Sequence, residues 1–188
     1  MNHSFKLINE FRHDINDPNS NVGWVVTDIY KDRRGEIWVS TFDGLNLYKK
    51  PDKNHPNGYF INYTKEDKNA TAIASDQVWH VMEDKSGRLW ISTADGLSCM
   101  NAQRNKTISY YHNPHKPGSL ASSNVKFTMQ DSKGRIWIAT EGGGLMQFKD
   151  AENIFTKYNK STGFPTNNIF AIFEDKSGNL WMSSTDGI

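Results

Sequence analysis

The adjacent pair Trp79 and His80, in the stretch SDQVWHVMEDK, sets a large aromatic face beside a ring that both donates and accepts hydrogen bonds. Such a pairing suits a sugar, whose C–H face stacks on the indole while its hydroxyls bond to polar neighbours. Asp28, Lys126, Phe127 and Phe170 hold matching places in similar stretches, and Trp24 lies in the loop before Asp28. These seven residues are the candidate ligand-binding set. Signs of other chemistry are thin. The chain has no Gly-x-Ser-x-Gly elbow and no His-Glu-x-x-His, and no carboxylate pair stands out, so no catalytic residue is expected. His112 and His115 flank Pro114 without a third ligand nearby, and the turn aspartates supply one carboxylate apiece, so neither a metal nor a cofactor is expected. The single cysteine, Cys99, rules out an internal disulfide and reads as a small buried hydrophobe.

The candidate residues follow apolar anchors in four copies of one unit. The copies read IYKDRRGEIWVSTFDGLNLY from Ile29, VMEDKSGRLWISTADGLSCM from Val81, TMQDSKGRIWIATEGGGLMQF from Thr128 and IFEDKSGNLWMSSTDGI from Ile172. Their tryptophans, Trp38, Trp90, Trp137 and Trp181, are 52, 47 and 44 positions apart, a spacing at or near that of β-propeller blades. Each copy runs from an anchor (Val26, Val78, Val125, Ile169) to an Asp-x-x-Gly turn. Asp accepts backbone N–H bonds there, and Gly takes the positive φ that closes a hairpin. The strand that follows (EIWVS, RLWIS, RIWIA, NLWMS) has three consecutive large apolar residues, which predicts burial of both its faces between stacked blades. A second glycine turn leads to a third strand; the third copy has one extra Gly, which a bulge would absorb. YFINYT, TISYYH and IFTKYN predict a more polar fourth strand at the outer edge.

Recurring positions are framework, and this reading makes the four tryptophans blade-to-blade core. The two positions after each anchor do not recur: Thr27 and Asp28, Trp79 and His80, Lys126 and Phe127, Phe170 and Ala171. Propellers bind ligands at the mouth of the central channel, so these positions are expected to line it.

Composition agrees with one ordinary folded domain, with 36% hydrophobic and 12% aromatic residues in 188 and a mean hydropathy of -0.71, and the repeats make it all-β. Twenty-two Lys and Arg against 21 Asp and Glu, interspersed, offer no basic field for nucleic acid or an anionic membrane. No apolar run approaches the roughly 18 residues of a membrane helix, and MNHSFKLINEFRHD lacks the apolar core of a signal peptide.

The copies resemble the two-component regulator propeller repeat: a D-x-x-G turn, an L-W-I-G-T-like strand, a G-L turn, then an aromatic outer strand and an S-L-containing connection. All four match at the Asp, Gly, Trp and second Gly, and GSLASSNV (118–125) is similar to the connection. Ser40, Ser92, Ala139 and Ser183 replace the Gly of the strand, which asks only for a small residue. The resemblance implies a segment of the periplasmic sensor region of a hybrid two-component system, of the kind found in Bacteroides-like bacteria, that binds an oligosaccharide and performs no catalysis. A propeller scaffold for protein interaction is the alternative, and a polysaccharide lyase or glycoside hydrolase with a site scattered over loops is the third reading.

A single partial propeller domain over residues 1–188 is therefore expected. Residues 5–11 (FKLINEF) read as the outer strand of a preceding blade, 25–64, 78–112 and 125–158 as complete blades, and 169–188 as an incomplete one. Such an arc leaves a blade face exposed at each end. The chain then reads as a piece of a longer sensor that continues into further blades, or as a half ring that associates with a second copy. A four-bladed ring fastened by residues 5–11 is the remaining arrangement.

Overall fold

The computed structural model of the chain describes Leu7 and residues 9–188. Strands β1 (Val26–Lys31), β2 (Ile37–Thr41), β3 (Gly44–Lys49) and β4 (Tyr59–Tyr63) form one antiparallel sheet in that order. β5 (Val78–Glu83) through β6 (Leu89–Thr93), β7 (Gly96–Met100) and β8 (Thr107–Tyr110) repeat it. So do β9 (Val125–Gln130), β10 (Ile136–Thr140), β11 (Gly144–Lys149) and β12 (Ile154–Tyr158). β13 (Ile169–Glu174) and β14 (Leu180–Ser184) form a two-stranded sheet. The innermost strands β1, β5, β9 and β13 lie side by side in chain order, so the four sheets stand as successive blades.

The first hairpin of each blade is built around its aspartate. In blade 1 the Asp32 carboxylate accepts the backbone N–H of Arg34 and Glu36, both at 3.0 Å, and Gly35 closes the turn at φ 79°. The same carboxylate accepts from the indole N–H of Trp38, six residues on, at 3.1 Å. Asp84 with Trp90 (2.9 Å), Asp131 with Trp137 (2.8 Å) and Asp175 with Trp181 (2.9 Å) repeat the bond. It lets an indole be buried without orphaning its one donor. Arg88 and Arg135 add a guanidinium to their own Asp and lie over their own tryptophan. Blade 1 carries Glu36 at that position, and Arg104 of blade 2 takes the role, with bonds to Asp32 at 3.3 Å and Glu83 at 3.0 Å.

The run of three apolar residues is explained by two neighbours. Leu89 and Ile91 join Val78 and Val81 against Trp38 and Leu45 of blade 1, while Trp90 faces Val125 and Ile136 of blade 3. Trp137 likewise packs against Ile169 and Ile172 of blade 4. An indole buried in this way removes about 150–250 Å² from water, a gross gain of about 4–6 kcal/mol before entropy. Trp38 and Trp90 are fully buried and Trp137 nearly so, but Trp181, on the outward face of blade 4, is 54% exposed. At the other end the counterparts of Val78 and Val81, Val26 and Ile29, are 50% and 68% exposed.

Two expectations need correction. Of residues 5–11, Phe5, Lys6 and Ile8 lie outside the described residues, while Leu7 and Asn9–Phe11 belong to no strand. The outer strand of a preceding blade pairs with that blade's third strand, and no strand precedes β1 among the described residues. Phe11 instead packs edge-on, with ring centroids at 5.2 Å, against Tyr48 and Phe60 of blade 1, and so does not fasten the last blade. The extra glycine of the third copy causes no bulge. Thr140 pairs with Gly144 as Thr41 pairs with Gly44, and the surplus residue is taken up inside the turn while β10 and β11 stay in register.

Candidate functional site

Each innermost strand has one residue more than its partner. Val26 pairs with Thr41 and Asp28 with Ser40, which leaves Thr27 unpaired; Trp79, Lys126 and Phe170 are unpaired at the same place. A bulge of this kind twists the strand and re-aims its side chains. It falls on the first of the two positions at which the copies differ, so the non-recurring residues stand where the inner edge is irregular.

That edge carries backbone groups without a strand beside them, and blade 1 satisfies those of blade 2. Thr27 Oγ1 donates to the carbonyl of Val78 at 2.6 Å, and Asp28 Oδ2 accepts the N–H of Val81 at 3.1 Å. His80 comes next in the row, its Nε2 3.9 Å from Asp28 and its ring stacked on Phe127 with centroids 3.9 Å apart. Burial pushes the imidazole down to about 4, against the opposing pull of the Asp28 carboxylate, so the ring is neutral at neutral pH. Trp79 meets Phe42 edge-on at 5.2 Å, and the Lys126 ammonium stands 3.8 Å from its ring centroid. Lys126 is held in turn by Glu141 at 3.0 Å, which also accepts from Asn124.

Two buried polar atoms in this row have no partner, the Trp79 indole nitrogen and His80 Nδ1. An orphaned buried group costs about 1–3 kcal/mol, which a hydrogen-bonding partner for either atom would recover in part. Beside His80 a cavity of about 420 Å³ opens between β5 and β9, walled also by Tyr30, Met82, Phe127 and Gln130; Trp79 does not line it. Among the described residues no three His, Cys, Asp or Glu side chains are grouped closely enough to hold a metal ion.

Asp28, Trp79, His80, Lys126 and Phe127 thus gather along three inner strands. Phe170 lies on β13 outside this row, 39% exposed. Trp24 is elsewhere, 76% exposed and edge-on to His13 at 5.3 Å, in the wall of a cleft of about 800 Å³ between the N-terminal segment and the outer edge of blade 1. Phe42 and Glu141 join the row although the anchor-based reading passed them over. Both stand four residues after a repeated tryptophan, where the copies read Phe42, Ala94, Glu141 and Thr185; the same failure to recur marks them.

Four-stranded antiparallel blades ranked from an inner to an outer strand, with a bulged row facing the inside, define a segment of a β-propeller. The chain belongs to the two component regulator propeller family, whose model matches residues 20–43, 72–95, 119–142 and 163–186. Similar solved structures include an extracellular domain described as that of the hybrid two component system BT3049 of B. thetaiotaomicron, at 26% identity and TM-score 0.76, covering 92% of this chain and 23% of that one. The extracellular domain described as that of the one component system BT4673 of the same organism follows at 22% identity and TM-score 0.71, covering 87% and 23%. PorZ, a surface component of the type-IX secretion system of Porphyromonas gingivalis, shares 15% identity at TM-score 0.62, covering 88% and 25%. The last two share the fold alone. The chain spans about a quarter of the length of these structures. No curated protein sequence matches it significantly.

Proposed function

We propose that this chain is part of a periplasmic ligand-sensing propeller of a hybrid two-component system, and that it binds an oligosaccharide without transforming it. The observation that carries the reading is the pair of unpartnered buried atoms on Trp79 and His80, at a bulge on an inner strand. Membership of the propeller family and the 26% identical extracellular domain support the sensor context and the location. Sugar hydroxyls answer an indole N–H, a neutral imidazole and an ammonium together, and Phe127 and Phe42 bring ring surface beside them. The residues of this row come from blades 1, 2 and 3, so a ligand gripping it favours one arrangement of those blades over another, which is what a signal requires.

Calorimetry against a panel of neutral and acidic oligosaccharides tests this. Saturable heat that is lost in Trp79→Ala and weakened in His80→Phe, both checked for native circular dichroism, is the expected result. Heat that persists unchanged in both variants places the ligand elsewhere. The apolar faces at the two ends of the arc favour a second reading, a protein-interaction scaffold, which silence across the panel would support. New products in the same mixtures would replace both readings with an enzyme.

A further inference from the structure

One hydrogen bond between blades occurs three times. The residue just before each framework aspartate reaches back to the amide just after the aspartate of the preceding blade. Glu83 accepts the backbone N–H of Arg33 at 2.9 Å, Gln130 that of Lys85 at 2.6 Å, and Glu174 that of Ser132 at 2.6 Å. Side chains reinforce two of the three: Arg33 Nε reaches Glu83 at 3.1 Å, and Ser132 Oγ reaches Glu174 at 2.8 Å. The Glu83 side chain is only 4% exposed and that of Arg33 56%, so this bond lies at the rim of the joint between blades. The joint therefore asks for an acceptor oxygen at the end of each inner strand.

The fourth such position is Lys31, on blade 1. An ammonium has donors and no acceptor. The fourth donor is the amide of Lys176, after Asp175 on blade 4. In apolar terms the two end faces match. Phe173 and Trp181 on blade 4 are the counterparts of Met82 and Trp90 and border an apolar recess of about 360 Å³; Val26 and Ile29 on blade 1 are the counterparts of the residues that cover such a face. Hydrophobicity alone would seat blade 1 of a second copy on blade 4 of the first. The acceptor position opposes it, because the Lys176 amide and its own ammonium would there meet the ammonium of Lys31 in place of an acceptor.

We infer that the exposed face of blade 4 takes a propeller blade whose inner strand ends in glutamate or glutamine, and that Lys31 keeps a second copy of this chain out of that place. The inference rests on the blade joints and stands apart from the sensing proposal.

The test is the solution mass of the 188-residue chain and its Lys31→Glu, Lys31→Gln and Lys31→Leu variants, by light scattering over a wide concentration range. The wild type is expected at its monomer mass of 21.5 kDa, with Lys31→Glu and Lys31→Gln dimerising at least about tenfold more tightly than Lys31→Leu. Adding Trp181→Asp should return the Lys31→Glu protein to monomer. The inference fails if the wild type dimerises as tightly as Lys31→Glu, if the acceptor variants associate no more than Lys31→Leu, or if Trp181→Asp leaves the dimer intact. Lys31 is exposed, so none of its replacements disturbs the core.

Discussion

Asp84→Ala removes the acceptor on which the second blade depends. The Asp84 carboxylate is 1% exposed and accepts from the backbone of Ser86 at 2.9 Å and of Arg88 at 3.0 Å, from Arg88 Nε at 2.7 Å and from the Trp90 indole at 2.9 Å. After truncation Arg88 keeps Asp150 at 2.8 Å and is partly exposed, so its guanidinium is rehydrated at small cost. The Trp90 N–H is fully buried and meets no water. Leaving it unpaired costs about 1–3 kcal/mol, and losing the turn acceptors adds about 1 kcal/mol, for roughly 3 kcal/mol in all. In a chain of this size that lowers the thermal midpoint by about 6–12 °C. Asp175 makes the same bonds to Trp181, Ser177 and Asn179, and these, the indole first, hold its carboxyl down at about 2. Trp181 is half exposed, however, so water replaces the lost indole acceptor and Asp175→Ala, which loses only its turn bonds, is expected to lower the midpoint much less than Asp84→Ala. Thermal and urea unfolding followed by circular dichroism compare the two. Equal losses, or a loss below about 1 kcal/mol in Asp84→Ala, would refute burial of the indole donor as the source of the effect.

Stability should also fall with acid through His80. Its folded value of about 4 lies below the ordinary 6.5, so between those pH values the unfolded chain takes up a proton that the folded chain refuses. The contribution is intact above pH 6.5, declines by about 3 kcal/mol as pH drops to 4, and is level below that. Urea titrations of wild type and His80→Phe isolate it, and a difference curve flat from pH 6.5 to 4 would show that the ring protonates in place. Gly96 stands at φ 137° with an added Cβ only 2.7 Å from the Tyr110 carbonyl, so Gly96→Ala should cost more than about 2 kcal/mol. Gly87 has φ 82° and a nearest neighbour at 3.3 Å, so Gly87→Ala should cost about 1 kcal/mol; urea midpoints in the reverse order would contradict the packing. Burial pushes the Cys99 thiol up to about 12, so labelling by a thiol reagent at pH 8 should wait for unfolding, and fast modification of the native protein would mean that blades 2 and 3 open locally.

Much of this architecture is written in short-range chemistry. Asp-x-x-Gly makes a hairpin turn wherever it occurs, three apolar residues in a row need cover on both sides, and their fourfold recurrence implies blades. The residues that fail to recur, such as Trp79 and His80, mark the inner edge for the same reason: framework duties are shared by every blade and particular duties are not. The bond from Asp84 to Trp90 was visible only as a constant spacing of six. It took the register of β5 against β6, with Met82 opposite Trp90, to bring the two groups together.

Which particular residues meet between blades was beyond such reading. Residues 5–11 read as the outer strand of a preceding blade, yet such a strand forms only where that blade's third strand lies beside it. Trp24 and Trp79 both enter the candidate set, but one lies by the outer edge of blade 1 and the other on an inner strand under Lys126. The chain alone determined strands, turns and the number of repeats, because these follow from neighbours a few residues apart. Which side chains share the inner row, which tryptophan is left exposed and why Lys31 ends its strand without an acceptor role were decided by tertiary structure. Each depends on the face that the next blade presents across the joint, about 50 residues away in sequence.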